Sequence, residues 1–398
     1  MKELRTPVIV GGGMTKFGRR EASFRDLISE AGKACFDNNK NIDPKDIDGF
    51  ILCTVFPERS AYQGHPAPLG CEILGLRPEK LFHRVETQCG TGTIGIRDAY
   101  AAIASGLSDM CMVLGVEKLY CPVQTDVYTN MLGGMDREWE GCNGVTPAAM
   151  FSMFAQKHME KYGTTVEQLA KVVVKNHTHA NKFPYSRFYG RYDKEPITID
   201  TVRSSQMVAA PLTVYDCCSN SDGGAAVIMT TEERAKDLTD KPMYILGTNQ
   251  VCHGYTWATM YEDFSTFPAA KICAQNAYKM AGITPDDIDV VELHDCFSIT
   301  EVILTEEFGF CQKGEGGRFV EAGLSDYGGK VVINPSGGLL GNGHPFGATG
   351  VRQAIEILTQ LRGEAGERQV EGARIGMGHN LSAPMEQHII IYGKERPE

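Results

Sequence analysis

The sequence predicts an α/β fold built from two duplicated halves, each a β-α-β-α-β unit, with a covering segment inserted between them. Three pairs of segments predict it. Pro7-Val8-Ile9-Val10-Gly11 recurs as Pro242-Met243-Tyr244-Ile245-Leu246-Gly247. Ile42-Asp43-Pro44-Lys45-Asp46-Ile47-Asp48 recurs as Ile283-Thr284-Pro285-Asp286-Asp287-Ile288-Asp289, and residues 88–103 recur as 343–358. The matches are collinear, and the distance between copies grows from 235 residues (Pro7 to Pro242) to 241 (Ile42 to Ile283) to 255 (Cys89 to His344). Loop insertions in the second copy would produce that drift.

Each element follows from this register. The first match opens a strand in each half. After the second come the apolar runs Phe50-Ile51-Leu52-Cys53 and Val290-Val291-Glu292-Leu293, a buried strand apiece. Residues 81–86 are strand-like. The helix after Cys89 buries Ile96, Ala99, Tyr100 and Ile103, and its copy buries Val351, Ala354, Ile355 and Leu358, both at i, i+3, i+4, i+7 spacing. Such β-α-β connections imply a largely parallel sheet covered on both faces. Residues 1–118 with 207–240 then form the N-terminal half, 119–206 the covering segment and 241–398 the C-terminal half. In the covering segment the pattern predicts helices over 148–161 and 166–175, the second ending in the polar and aromatic tract 176–184. Residues 219–229 predict a turn into a small-residue helix or strand. The covering segment is expected to close over an active-site mouth and touch the substrate carrier; a solvated accessory lobe is the other reading.

Composition bounds the function. The chain has 398 residues, 42% hydrophobic and 22% charged, enough for a large core and two or three domains. A net charge of −11 argues against a nucleic-acid partner and leaves room for a local basic groove. No apolar run is long enough to span a bilayer, so no membrane role is expected. The N-terminus enters a strand without a signal-peptide pattern, and Glu395-Arg396-Pro397-Glu398 is not a peroxisomal address. Thirteen cysteines with no CxxC pair suggest neither a disulfide framework nor a zinc ribbon, and a cytoplasmic location is expected.

The register places a nucleophile opposite a base, because Cys89 falls on His344, Gly92 on Gly347, Gly95 on Gly350 and Arg97 on Arg352. Cys89 opens a helix, where free amides and the helix dipole favour a thiolate, and Gly90 and Gly92 leave room for a substrate. His344 lies in the glycine-rich block 334–350, which could also cradle phosphate but lacks the GK[ST] ending of a P-loop. His294 and Cys296 follow a core strand at its carboxyl end, the ligand side of an open α/β sheet. A metal site of His294, Cys296 and His344 is the alternative, with no close ligand spacing in its favour.

These segments resemble the thiolase superfamily over essentially the whole chain: Glu86-Thr87-Gln88-Cys89-Gly90-Thr91-Gly92, Ser221-Asp222-Gly223-Gly224-Ala225-Ala226, His294-Asp295-Cys296-Phe297 and the block 334–350. The resemblance implies the five-layered αβαβα fold. Common thiolases carry Asn-Glu-Ala-Phe where this chain has His294-Asp295-Cys296-Phe297, and a Cys-x-Gly where it has Gly376-Met377-Gly378. Both departures are similar to the sterol-carrier-protein-type and archaeal-type thiolases, in which Cys296 would replace the missing C-terminal cysteine. The family mechanism then implies that His344 takes the proton of Cys89, which attacks a 3-oxoacyl-CoA, while Cys296 protonates the departing enolate and activates coenzyme A, the co-substrate. The enolate would face His294 and His344; the tetrahedral intermediate would face the amides of Cys89 and Gly378. No metal is expected in this chain.

The resemblance also implies a homodimer core, and, for relatives with this HDCF motif, a small zinc- and OB-fold-containing partner of the DUF35 type. A decarboxylating or HMG-type condensing enzyme and a silent scaffold subunit are the rival readings. Met131, Met135, Trp139, Met150, Phe151, Met153 and Phe154, with the tract Trp257, Met260, Tyr261, Phe264 and Phe267, suit either ordinary core packing or a pocket for a bulky acyl group. An aryl-substituted substrate such as benzoylsuccinyl-CoA fits the second reading, and acetoacetyl-CoA is the plain alternative.

Overall fold

The computed structural model describes residues 4–120, 131–254, 262–382 and 385–396; Trp257, Met260, Tyr261, Pro397 and Glu398 lie outside them. The N-terminal half holds β1 (Pro7–Met14), β2 (Gly49–Cys53), β3 (Leu81–Val85) and β4 (Met110–Glu117). A small pair, β5 (Met207–Ala209) and β6 (Leu212–Thr213), precedes β7 (Gly223–Thr231). The C-terminal half holds β8 (Met243–Cys252), β9 (Val290–Glu292), β10 (Val332–Ile333), β11 (Ile375–Ser382) and β12 (Glu386–Gly393). Apart from the small pair, they form one sheet in the order β3-β2-β4-β7-β1-β8-β12-β11-β9-β10. Read outward from the centre, the two halves repeat one order. They meet at β1 and β8 through the pairs Val8–Tyr244 and Ile9–Met243.

The duplication extends to detail. Asp48 accepts the amides of Asp109 and Met110 at the start of β4, and its counterpart Asp289 accepts those of Arg374 and Ile375 at the start of β11. The largely parallel sheet expected from the sequence is instead mixed. Strands β2, β3 and β4 run parallel, as do β9, β10 and β11. The last strand of each half, β7 or β12, is wedged antiparallel between the first and the fourth. The physical reason is a hairpin: β11 ends and β12 begins at the pair Ser382–Glu386, and antiparallel neighbours need only a short connection. In the N-terminal half the same hairpin is opened by the long excursion 118–222.

Five layers result. Helices α1 (Phe24–Asn38) and α2 (Pro66–Leu74) cover the outer face of the N-terminal half. Between the two half-sheets lie α3 (Thr91–Ser105) and its copy at Phe346–Arg362, packed on strands of both. A Cβ on Gly92 would stand 2.8 Å from the Gly347 carbonyl oxygen, and one on Gly350 would stand 2.4 Å from the Thr93 nitrogen. Of the glycines that match in the sequence, Gly92, Gly347 and Gly350 are therefore where the two helices cross at backbone contact, which brings their N-termini together.

The excursion supplies α4 (Pro147–Tyr162) and α5 (Val166–Ala180), which pack on the C-terminal half beside α6 (Pro268–Ala281) and α7 (Ser298–Glu307). Helix α5 runs five residues beyond the expected end at Lys175. Asn176, His177 and His179 stay helical because each is buried with a partner. The Asn176 amide donates to Asp295 and Glu301, each at 2.8 Å; His177 meets the Tyr192 hydroxyl, and His179 lies between Asp326 and the Asn334 carbonyl. Residues 223–231 are a strand, which resolves the helix-or-strand expectation there. Among the described residues no helix is long and apolar enough to cross a membrane.

Candidate active site

Cys89 sits on a strained elbow. Gln88 has φ +49°, a left-handed conformation costing a non-glycine residue about 1 kcal/mol or more, and it turns the chain from β3 into a short 3-10 turn, Gln88–Gly90, ahead of α3. The far half of the molecule holds that turn: Ser382 accepts the Gly90 amide at 2.9 Å and donates to the Thr87 carbonyl. The expected thiolate is not the resting state. Burial, then the nearby Glu117 carboxylate, push the Cys89 thiol up to about 12. Glu117 is itself buried and raised to about 7, while it accepts the amides of Val55, Phe56 and Gly347. Cys89 therefore rests as a thiol, outweighing the helix terminus. Its alkylation by iodoacetamide should rise roughly tenfold per pH unit between pH 6 and 9 with no plateau, since only the thiolate reacts; a plateau below pH 8 would contradict this geometry.

The glycine-rich block is positioned from several sides. Asn334 starts it in the left-handed region (φ +57°) and accepts the Leu293 amide at 2.9 Å. Asp295, of the His294–Phe297 motif, accepts the amides of Leu339 (2.6 Å) and Leu340 (3.3 Å) in the helical turn Gly338–Asn342. Gly343 (φ +88°) passes so close to Ser221 that a Cβ would lie 2.0 Å from its hydroxyl. The His344 amide donates to the Ser219 carbonyl at 2.9 Å, which ties the Ser221–Ala226 segment to the site. His344 then sits two residues before the second central helix, at the point equivalent to Cys89.

Thr349 and Asn380, neither singled out from the sequence, set the ring orientations. His344 Nδ1 lies 2.7 Å from the Thr349 hydroxyl, which donates to the Pro345 carbonyl at 3.0 Å. His294 Nδ1 lies 3.1 Å from the Asn380 amide nitrogen. The Nε2 atoms of both rings are buried without a partner among the described residues, and the rings lie 4.9 Å apart at 86°. Burial holds both imidazoles neutral, lowering His344 to about 3 with help from Arg352 and holding His294 well below the usual histidine range with help from His344.

Four of the five expected site residues converge. Cys89, His294, Cys296 and His344 line one cavity of 350 Å³, and Cys89 Sγ and a ring nitrogen from each histidine lie within 4.8 Å of one another. Gly378 is not brought there. It lies mid-strand, paired on both sides with Glu292 and Ile390, outside the cavity lining. The strand meets the site further on, through Asn380, Leu381 and Ser382, because ligand groups gather past the carboxyl ends of the parallel strands. The GxG pattern matched by residue type, not by height along the strand.

The rest of the cavity is mostly apolar, with Gln88, Thr146 and Asn220 as its other polar residues. Met131, Met135, Met150 and Phe151 of the excursion line it with Phe297, Phe346 and Leu381, so the covering segment does close over the nucleophile. Trp139 and Met153 face solvent, and Phe154, Phe264 and Phe267 pack on one another in the core. Core packing is the better of the two readings for Phe154, Phe264 and Phe267, and neither reading fits Trp139 or Met153.

A neutral acceptor nitrogen, a thiol and a second thiol around an apolar hole suit acyl transfer through a thioester. Comparison with known proteins agrees. Residues 7–233 match the family model "Thiolase, N-terminal domain" and residues 252–394 match "Thiolase C-terminal domain-like". The chain is 41% identical to acetyl-CoA acetyltransferase of Methanothermobacter thermautotrophicus, over 95% of this chain and 96% of that protein. It is 36% identical to sterol carrier protein 2 of Bos taurus (98% and 72%) and 33% identical to benzoylsuccinyl-CoA thiolase subunit BbsB of Thauera aromatica (95% of each). A solved structure described as an Ltp2–ChsH2(DUF35) aldolase superposes with a TM-score of 0.84 at 27% identity, covering 99% of both chains. The chain belongs to the thiolase family and is an acyltransferase of that family.

Proposed function

We propose that this enzyme cleaves a 3-oxoacyl-CoA with coenzyme A, or runs the reverse Claisen condensation, through an acyl group on Cys89. The observation that carries it is the approach of Cys89 Sγ, His294 and His344 to within 4.8 Å at the floor of the apolar cavity. His344 Nε2, unpartnered and neutral, accepts the Cys89 proton as sulfur attacks the ketone carbon. The carbon–carbon bond breaks, its electron pair moves into an acyl-CoA enolate, and the Cys296 thiol gives that carbon a proton. Coenzyme A then passes its thiol proton to Cys296, attacks the acyl-Cys89 carbonyl and leaves as the second thioester. His294 and the newly protonated His344 present N–H groups to the enolate oxygen. A preorganised donor of this kind is worth roughly 10²–10³ in rate.

The Met- and Phe-lined cavity supports a bulky or aryl-substituted acyl group, of which a benzoylsuccinyl-CoA-like thioester is the example we favour. Acetoacetyl-CoA is the second reading, favoured by the acetyl-CoA acetyltransferase relative. A homodimer would form along the free β3 edge, where Phe82 is 52% exposed just ahead of the nucleophile turn. A small DUF35-type subunit, bringing its own zinc, is the further partner this reading includes, with the chain itself holding no metal and working in the cytoplasm.

Intact-mass spectrometry with a panel of acyl-CoA and 3-oxoacyl-CoA thioesters tests the reading. Wild type should gain one acyl mass that Cys89→Ala does not, and the best-labelling thioester identifies the acyl class. No adduct from any thioester, alone or with co-purified partners, would leave a silent scaffold as the better account.

A further inference from the structure

We propose that Asn380 is a positioning residue that holds His294 as its Nε2–H tautomer, so that this ring donates to a substrate oxygen and is barred from binding a metal ion beside Cys89 and His344. The inference rests on the reading of His294 as a donor to the enolate, and it assigns the group that makes it one. It begins with the orientation of the Asn380 amide. Its nitrogen lies 2.9 Å from the His379 carbonyl oxygen, which can only accept, so the nitrogen must be the NH₂ group. Its oxygen accepts the Thr93 hydroxyl at 2.6 Å. The second N–H therefore points at His294 Nδ1, 3.1 Å away, and an Nδ1 that accepts leaves the ring proton on Nε2.

His344 is held in the opposite form. The Thr349 hydroxyl hydrogen is committed to the Pro345 carbonyl, so Nδ1–H of His344 donates to Thr349 and Nε2 keeps a lone pair. Two neutral rings 4.9 Å apart thus face one cavity as one donor and one acceptor. Thr93 lies on the N-terminal half, in the helix that Cys89 precedes, while Asn380 and His294 lie on the C-terminal half. The tautomer of one ring is therefore set by a bond that crosses the interface between the two copies.

The same proton has a protective consequence. A cysteine and two histidines within 4.8 Å of one another are a ligand set suited to zinc, but a ligating imidazole needs a lone pair on the coordinating nitrogen. In Asn380→Asp the carboxylate cannot donate. It would accept from His294 Nδ1 and free Nε2, as carboxylates do behind zinc-bound histidines.

The test uses the full-length enzyme. In wild type, ¹⁵N-histidine NMR should report His294 with the proton on Nε2 and a bare Nδ1, a measurement that needs no Asn380 variant. Asn380→Asp should lose at least about tenfold in kcat with little change in KM, because an oxyanion donor is impaired. Its activity should fall with rising pH through one deprotonation that wild type lacks, since only the charged ring keeps Nε2–H there. It should also become inhibited by micromolar Zn²⁺, reversibly with EDTA, at concentrations that leave wild type active. An Nδ1–H signal for His294 in wild type would overturn the proposal, as would an Asn380→Asp enzyme with the wild-type pH profile and zinc response. Failure of the thiolase reading shows separately, as absence of the acyl-Cys89 adduct in wild type.

Discussion

Cys296→Ala is expected to slow both thiolysis and condensation by about 10²–10⁴-fold, the usual worth of a positioned general acid–base group, while Cys89 still takes an acyl group from a simple acyl-CoA. The difference lies in the leaving group. Acyl transfer from a thioester expels a thiolate, which departs without help, whereas carbon–carbon cleavage expels an enolate that must be protonated on carbon. Cys296 is placed to do this, as it lines the cavity and is only 7% exposed. Burial, then the proximity of Cys89, hold its thiol well above the ordinary range, so the proton is in place at neutral pH. Steady-state rates with a 3-oxoacyl-CoA, set against intact-mass labelling by the matching acyl-CoA, separate the two steps. A Cys296→Ala enzyme that keeps more than a tenth of wild-type turnover would remove Cys296 from the mechanism.

Gly350→Ala should damage both stability and activity. The added Cβ would stand 2.4 Å from the Thr93 backbone nitrogen and 2.7 Å from Asn380 Oδ1. Neither the helix backbone nor the Asn380 amide, bonded on both sides, can step aside freely. Overpacking of this kind costs about 1–3 kcal/mol, about 1–4 °C in Tm for a chain this large. The strain also forces apart the two helices that carry Cys89 and His344 at their starts, and an error of about 1 Å there is worth roughly 10² in kcat. Gly64→Ala, where a Cβ meets open space, is the control. Differential scanning calorimetry and kcat on both variants check the result; equal Tm and kcat would mean that the crossing tolerates a methyl group.

Much of this molecule is legible in its sequence because duplication writes the same contacts twice. Asp48 and Asp289 match as letters and prove to be the same clamp, and of the glycines that match in register Gly92, Gly347 and Gly350 prove to be a helix crossing, while Gly95 packs on Cys53 of β2. What the register could not show was strand direction, since β7 and β12 lie outside the three matched segments and their antiparallel insertion depends on hairpins. Helix α5 was cut short because Asn176, His177 and His179 look like a polar end; only tertiary partners make those side chains cheap to bury. Gly378 matches by residue type, and it lies three residues short of Leu381, where the same strand lines the cavity. The thiolate expected from the helix terminus is overridden by burial and by Glu117, a carboxylate 28 residues away in sequence.

The opened hairpin has a bearing on how such an enzyme changes its diet. The chain leaves the sheet at Glu117 and returns at Gly223, and those two residues are paired neighbours on β4 and β7. A segment whose two ends share one doorway behaves as a cartridge. Its length matters little to the scaffold, since each doubling of a loop costs only about 0.6 kcal/mol in closure entropy. Cys89, His294, Cys296 and His344 all hang on the frame, while Met131, Met135, Met150 and Phe151 belong to the cartridge. Exchanging the stretch of the cartridge that lines the cavity would retool what it admits, while Asn176 and Ser219, which hold Asp295 and the His344 amide, would have to stay with the frame.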